Sequence, residues 1–189
     1  MRSDAEMEFS PSQLVESFAR ICKEVVVRPV VFFQGLPLQG SLMNPLLFLS
    51  LCVFLSSLCM ANILNGDYRL FLILFFSNML SDVIVSGLLH ALATRAFGGG
   101  APFAATFRII AYSSVTDLGA WIPFIGTIAS LYGIYLIFLG LQEIHRLKPR
   151  QAGLAVIIIM TLALGMGLSA AILGKDVLHP PDPGTLLNN

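Results

Sequence analysis

The chain has 189 residues, 56% of them hydrophobic and only 12% charged, with a mean hydropathy of +0.82. A soluble domain carries about 25% charged residues, so this chain cannot cover a water-facing surface and much of it must face lipid. Basic and acidic residues balance at eleven each, which excludes a strong overall attraction to nucleic acid.

Residues Met1 to Phe9 are acidic and polar and read as disordered. No apolar core with a cleavage site occurs in the first 30 residues, so insertion is expected to use the first full span. A helix is predicted over about 11–28: Ser10 can cap it, Pro11 suits its first position and Gln13 completes a capping box. Leu14, Val15, Phe18, Ile21, Cys22, Val25 and Val26 form a one-sided apolar stripe. Gln13, Glu16, Arg20, Lys23 and Glu24 take the other face, and Pro29 ends the helix. It is too short in apolar residues to span, and belongs on the membrane surface or folded back onto the bundle. Residues 30–44 read as an irregular lead-in with interfacial aromatics, Phe32 and Phe33.

Five apolar runs follow, at about 45–64, 70–96, 104–122, 125–142 and 152–174, each near the roughly 20 residues that cross hydrocarbon. The predicted fold is therefore an all-α integral membrane protein, a bundle of five transmembrane helices preceded by an amphipathic interfacial helix. It divides into a cytosolic segment 1–44, a membrane domain 45–174 and a short external tail 175–189. Five spans place Arg2, Arg20, Lys23, Arg28, Arg95, Arg108, Arg146, Lys148 and Arg150 on one side, and Arg69 and Lys175 on the other. Nine basic residues against two put the first side, and the N terminus, in the cytosol. Cys22, Cys52 and Cys59 do not suggest a disulfide framework, and Cys52 and Cys59 read as small hydrophobes.

The apolar runs carry polar faces. Asn78, Asp82, Ser86 and His90 share one side of the second span, and Tyr112, Ser113 and Asp117 lie in the third. Asp82 is equidistant from Arg69 and Arg95 and falls near mid-membrane, where an ionised carboxylate must be protonated, paired or wetted. Two readings follow: an ion or proton path through Asp82 and Asp117, or polar contacts that fix helix packing; the second is favoured because such contacts are common in bundles. Arg108, Glu143 and His145 form a charge cluster at the cytosolic ends of their spans, with Arg108 expected to pair with Glu143. His90 and His145 lack the paired spacing of metal helices, so no metal is expected, and no cofactor either. Gly126, Gly133 and Gly140 fall on one face of the fourth span, and Gly167 lies between Ala163 and Ala171 in the fifth. Such small residues serve close packing within the chain or self-association. Gly98 to Gly100 lack the lysine of a phosphate-binding loop and read as a turn, and no nucleophile set points to an enzyme.

The glycine run at Gly98 to Gly100, the "AYSS" step (Ala111 to Ser114), "IPFIG" (Ile122 to Gly126), "GLQEIHRL" at the end of the fourth span and the early "RPVVFF" (Arg28 to Phe33) together resemble the Yip-one family. The resemblance covers about residues 11–174. Its eukaryotic members bind Ypt and Rab GTPases, and the family implies five spans with a cytosolic N terminus. Where the family usually has a proline after the tyrosine step, this chain has Val115-Thr116-Asp117, which removes the residue expected to kink the third helix. The long polar N-terminal region of eukaryotic relatives is missing, so the chain resembles a short bacterial member of the inner membrane. Fold does not fix function, and the traffic role is not carried over. The expected role is a non-enzymatic membrane scaffold whose partners are the bilayer, a cytosolic protein and a second copy of itself. The alternative is a small-solute, proton or cation carrier along the polar faces of spans two and three.

Overall fold

The computed structural model describes residues 8–64 and 66–178, with side chains placed as far as residue 164. The surroundings of Gly167, the side chain of Lys175 and the tail beyond Leu178 lie outside the described residues. Every regular element among the described residues is helical.

The predicted segment is helical as α1, Leu14–Val27, after a 3-10 turn at Pro11–Gln13. The predicted capping box does not form: the Ser10 hydroxyl bonds Ser12 instead of a helix N–H. Of the predicted stripe, Ile21 and Val25 are buried and Phe18 and Cys22 half-buried, so the helix folds back onto the bundle. Leu14, Val15 and Val26 stay exposed. Two expectations for the flanking segments fail. Phe9, read as disordered, is fully buried against Phe48. Residues after Pro29, read as irregular, form α2, Pro29–Gln34, which buries Phe32 and Phe33 and packs on the helix Ile125–His145. Proline at the first helical position starts that helix at little cost because its missing N–H has no partner there.

Among the described residues, three helices are long and apolar enough to cross a membrane: α3, Met43–Ile63; the rod Tyr68–Ala96; and α7, Ile125–His145. The rod consists of α4, Tyr68–Ala91, and a π turn, Leu92–Ala96. Asp67 caps it, its Oδ1 accepting from the backbone N–H of Arg69 and Leu70 at 2.9 and 3.2 Å. Ile73, Phe76, Leu80, Val83 and Ile84 on α4 are exposed to the outside of the chain. An apolar surface of that extent requires lipid around it, and the chain is a multi-pass membrane protein in contact with the bilayer. The fifth predicted span is α8, Pro149–Leu178.

The third predicted span differs from expectation. It is three pieces: α5, Phe103–Ser113; a 3-10 turn, Ser114–Thr116; and α6, Asp117–Ala120. No proline is needed for the break. The Ser114 and Thr116 hydroxyls donate to the carbonyls of Ala111 and Ser113, three residues back, at 2.7 and 3.0 Å. Such back-bonding competes with the α-helical ladder and tightens the turn. This broken rod is the centre of the molecule: α5 and α6 both pack on α3 and α7, α5 also packs on α4, and residues 105–113 are buried without interruption.

The glycine face of α7 explains how the rod fits. A Cβ on Gly133 would stand 2.7 Å from Thr116 Oγ1, and one on Gly140 would stand 2.6 Å from Ile109 Cγ2. A Cβ on Gly126 would strike the Ala120 backbone carbonyl. All three glycines therefore receive the broken rod of the same chain, the first of the two uses open to this face.

Candidate functional site

Asp82 stands at the midpoint of the rod Tyr68–Ala96, and Asp117 is the first residue of α6. Both line a cavity of about 370 Å³ between α3, α4 and α6, together with Ser56, Ser57, Asn78 and Ser81. Both also line a second cavity, of about 260 Å³, reaching toward α7 and α8 past Ser113, Thr116 and Gly133. The carboxylates are thus the shared wall of two cavities. Among the described residues, no hydrogen bond or ion pair reaches either carboxylate, and neither cavity is lined by a lysine or arginine. Ser57 and Ser113 are 2% and 4% exposed. Their hydroxyls have no hydrogen-bond partner.

A second polar knot lies at the opposite end of α5, where the rod meets the last turns of α4 and α7. Thr106 Oγ1 is 3.0 Å from His90 Nδ1 and 2.8 Å from His145 Nε2. A hydroxyl carries one proton, so in this bridge it can donate to only one imidazole and accept from the other. His145 is buried, and its Nδ1 has no partner. Gly99 closes over it: a Cβ there would stand 2.8 Å from Nδ1 and 3.0 Å from the Ala93 carbonyl. The glycine loop is therefore a close-approach device, with Gly98 turned into the left-handed region at φ +73°.

A third knot ties the N-terminal layer down. Arg108 is fully buried on α5, and its Nη2 is 2.9 Å from Glu8 Oε1 and 2.9 Å from the Ser41 carbonyl. Its Nη1 donates to the Ala104 carbonyl at 3.2 Å. The Phe9 N–H donates to the Tyr112 hydroxyl at 3.2 Å, and Tyr112 packs edge-on against Phe32.

Residues 23–172 match the Yip1 domain. The chain belongs to the Yip1 family. No curated protein and no solved structure matches it. The motifs of this Yip1 chain occupy its tightest contacts: the glycine run covers His145, "AYSS" supplies the break in the central rod, and "IPFIG" turns into α7 with Gly126 against Ala120.

The residues expected to form one intramembrane site are divided by the fold. Asn78, Asp82 and Asp117 meet in the first cavity, and Ser113 joins the carboxylates in the second. Ser86 instead donates to the Asp82 backbone carbonyl at 2.7 Å, His90 belongs to the threonine bridge, and Tyr112 faces the N-terminal layer. The charge cluster also separates: Arg108 pairs with Glu8 in place of Glu143, and Glu143 accepts from Gln34 Nε2 at 2.9 Å. The reason is reach, since residues 8 and 9 fold over α5 and occupy the guanidinium first. His145 is buried rather than part of a surface cluster. Sequence reasoning passed over Ser57 and Thr106. The signal for Ser57 was the Ser56-Ser57 pair in an otherwise apolar run; for Thr106 it was a hydroxyl in the same helix as a buried arginine.

Proposed function

We propose that this Yip1-family chain crosses the membrane five times with its N terminus in the cytosol, and acts as a non-enzymatic scaffold that presents its N-terminal layer to a cytosolic protein. The observation that carries the reading is the way this layer is held. Glu8, Phe9, Ile21, Val25, Phe32 and Phe33 anchor it to α5 and α7, yet Val15, Val27 and Val31 remain exposed on it, Val15 at 78%. A layer fixed by an internal ion pair but left apolar outside is suited to docking. The test is photo-crosslinking from positions 15 and 27 in cells, with position 73 on α4 as a lipid-facing control. Discrete protein adducts from 15 and 27, absent at 73, are expected. Adducts to lipid alone at all three positions would reject the docking role.

A second reading is a carrier of a small solute, proton or cation, favoured by the two cavities that share Asp82 and Asp117. It requires flux in proteoliposomes that Asp82→Asn abolishes while the protein stays folded. Absence of flux for the unsubstituted protein across protons, sodium and potassium removes it.

A further inference from the structure

We infer that the cavity between α3, α4 and α6 is a binding site for a hydrated divalent cation of the magnesium class, held by Asp82 and Asp117 with Ser57 as a polar partner. This site goes beyond the docking role and does not require that any ion cross the membrane.

Charge is the first argument. Two carboxylates line one cavity, and no basic side chain lines it with them. Two like charges in a poorly hydrated site repel, and each pays for leaving water. One divalent cation neutralises both.

The second argument is the orphaned hydroxyl. Ser57 is 2% exposed, lines the same cavity, and its Oγ has no hydrogen-bond partner. A buried hydroxyl without a partner loses the hydrogen bond that water gave it, and a metal-bound water or a direct oxygen contact restores one. Ser113 repeats the pattern on the second cavity, on the other side of the same two carboxylates.

The third argument is ligand type and room. Apart from the Met60 thioether, the lining donors are carboxylate, hydroxyl and amide oxygens, and this oxygen majority suits a hard cation. Among the described residues no three histidine, cysteine or acidic side chains cluster as a metal cage. An ion stripped of its water would meet only two charged ligands in this cavity. Magnesium instead keeps several waters and is bound through one or two carboxylates. An octahedral shell of about six waters, at about 30 Å³ each, needs roughly 180 Å³. The cavity of about 370 Å³ holds it.

The test uses the full chain in detergent or nanodiscs. Trp121 is the single tryptophan and follows Ala120, which lines the cavity. Mn²⁺ bound there quenches its fluorescence, and Mg²⁺ reverses the quenching by competition. One Mn²⁺ per chain is expected, with binding weakened at least about tenfold by Asp82→Asn and by Asp117→Asn. Glu143→Gln, outside the cavity, leaves it unchanged. Mg²⁺ also raises Tm in the unsubstituted protein and not in the double Asn variant, because a ligand of the folded state alone stabilises it.

Ser57→Ala keeps the proposal falsifiable if the Asn variants do not fold. Weaker Mn²⁺ binding supports the site; unchanged binding with a higher Tm marks Ser57 as a plain orphan and overturns its role. Absence of saturable Mn²⁺ quenching overturns the site, as two carboxylates sharing a proton would then be the occupants' only relief. Equal competition by Na⁺ and Mg²⁺ overturns the divalent assignment.

Discussion

At the residue scale, Arg108 anchors the N-terminal layer to the central rod: it is fully buried on α5 and pairs with Glu8. Its placement in an apolar run correctly signalled that it needed a partner, since an unpaired buried guanidinium is not tolerated. Glu143 was the nearest acid by level in the spans, but Glu8, a hundred residues away, reaches it. Three backbone carbonyls, those of Ala104, Gln39 and Ser41, complete the shell. Glu8→Gln keeps an acceptor and removes the charge. It should destabilise the purified protein by about 2 kcal/mol, the scale of a charge-assisted hydrogen bond, and make the Arg20–Lys23 region more sensitive to trypsin. Unchanged melting and proteolysis would mean that the carbonyls alone hold Arg108. The same layer covers Cys22, whose thiol burial pushes up to about 11.

The central rod decides most at the element scale. Its polar content made it the least regular of the five apolar runs, and both its burial and its break follow from that content. Serine and threonine back-bonding shortens the turn at Ser114–Thr116, so Asp117 starts a new helical segment beside Asp82. The glycines of α7 were legible as a packing face because their seven-residue spacing survives any fold. Their partner was not legible, because spacing gives a face but no neighbour. Gly126→Ala should cost about 1–3 kcal/mol, since its Cβ meets a backbone carbonyl that cannot swing aside. Gly87→Ala on α4 has nothing within 4 Å of the added Cβ, and should gain about 0.5–1 kcal/mol from the lost backbone freedom of glycine. Thermal unfolding of both variants in the same detergent checks the pair, and equal effects would reject the packing assignment.

For the whole molecule, the question is how many helices cross. Among the described residues, three meet the length and apolarity that crossing needs: α3, the rod Tyr68–Ala96 and α7. With the N terminus in the cytosol, three crossings alone would put Lys148 outside. Adding the broken rod as a crossing returns Lys148 to the cytosol, where the distribution of basic residues favours it. A reporter fused after Lys148 should therefore read as cytosolic, and one placed in the loop before Tyr68 as external. An external reading after Lys148 would reject the five-span arrangement.

The sequence by itself determined the membrane class, the Yip1 resemblance, the positions of the long apolar helices and the presence of the helix α1. Each of these rests on composition or on periodicity along the chain, which needs no knowledge of neighbours. Only the tertiary structure decided that Glu8 answers Arg108, that Thr106 joins two histidines, and that Ser57 shares a cavity with two aspartates. These pairings close over long separations in the chain, and a side chain's partner is set by which helices pack together, not by how far apart they lie in sequence.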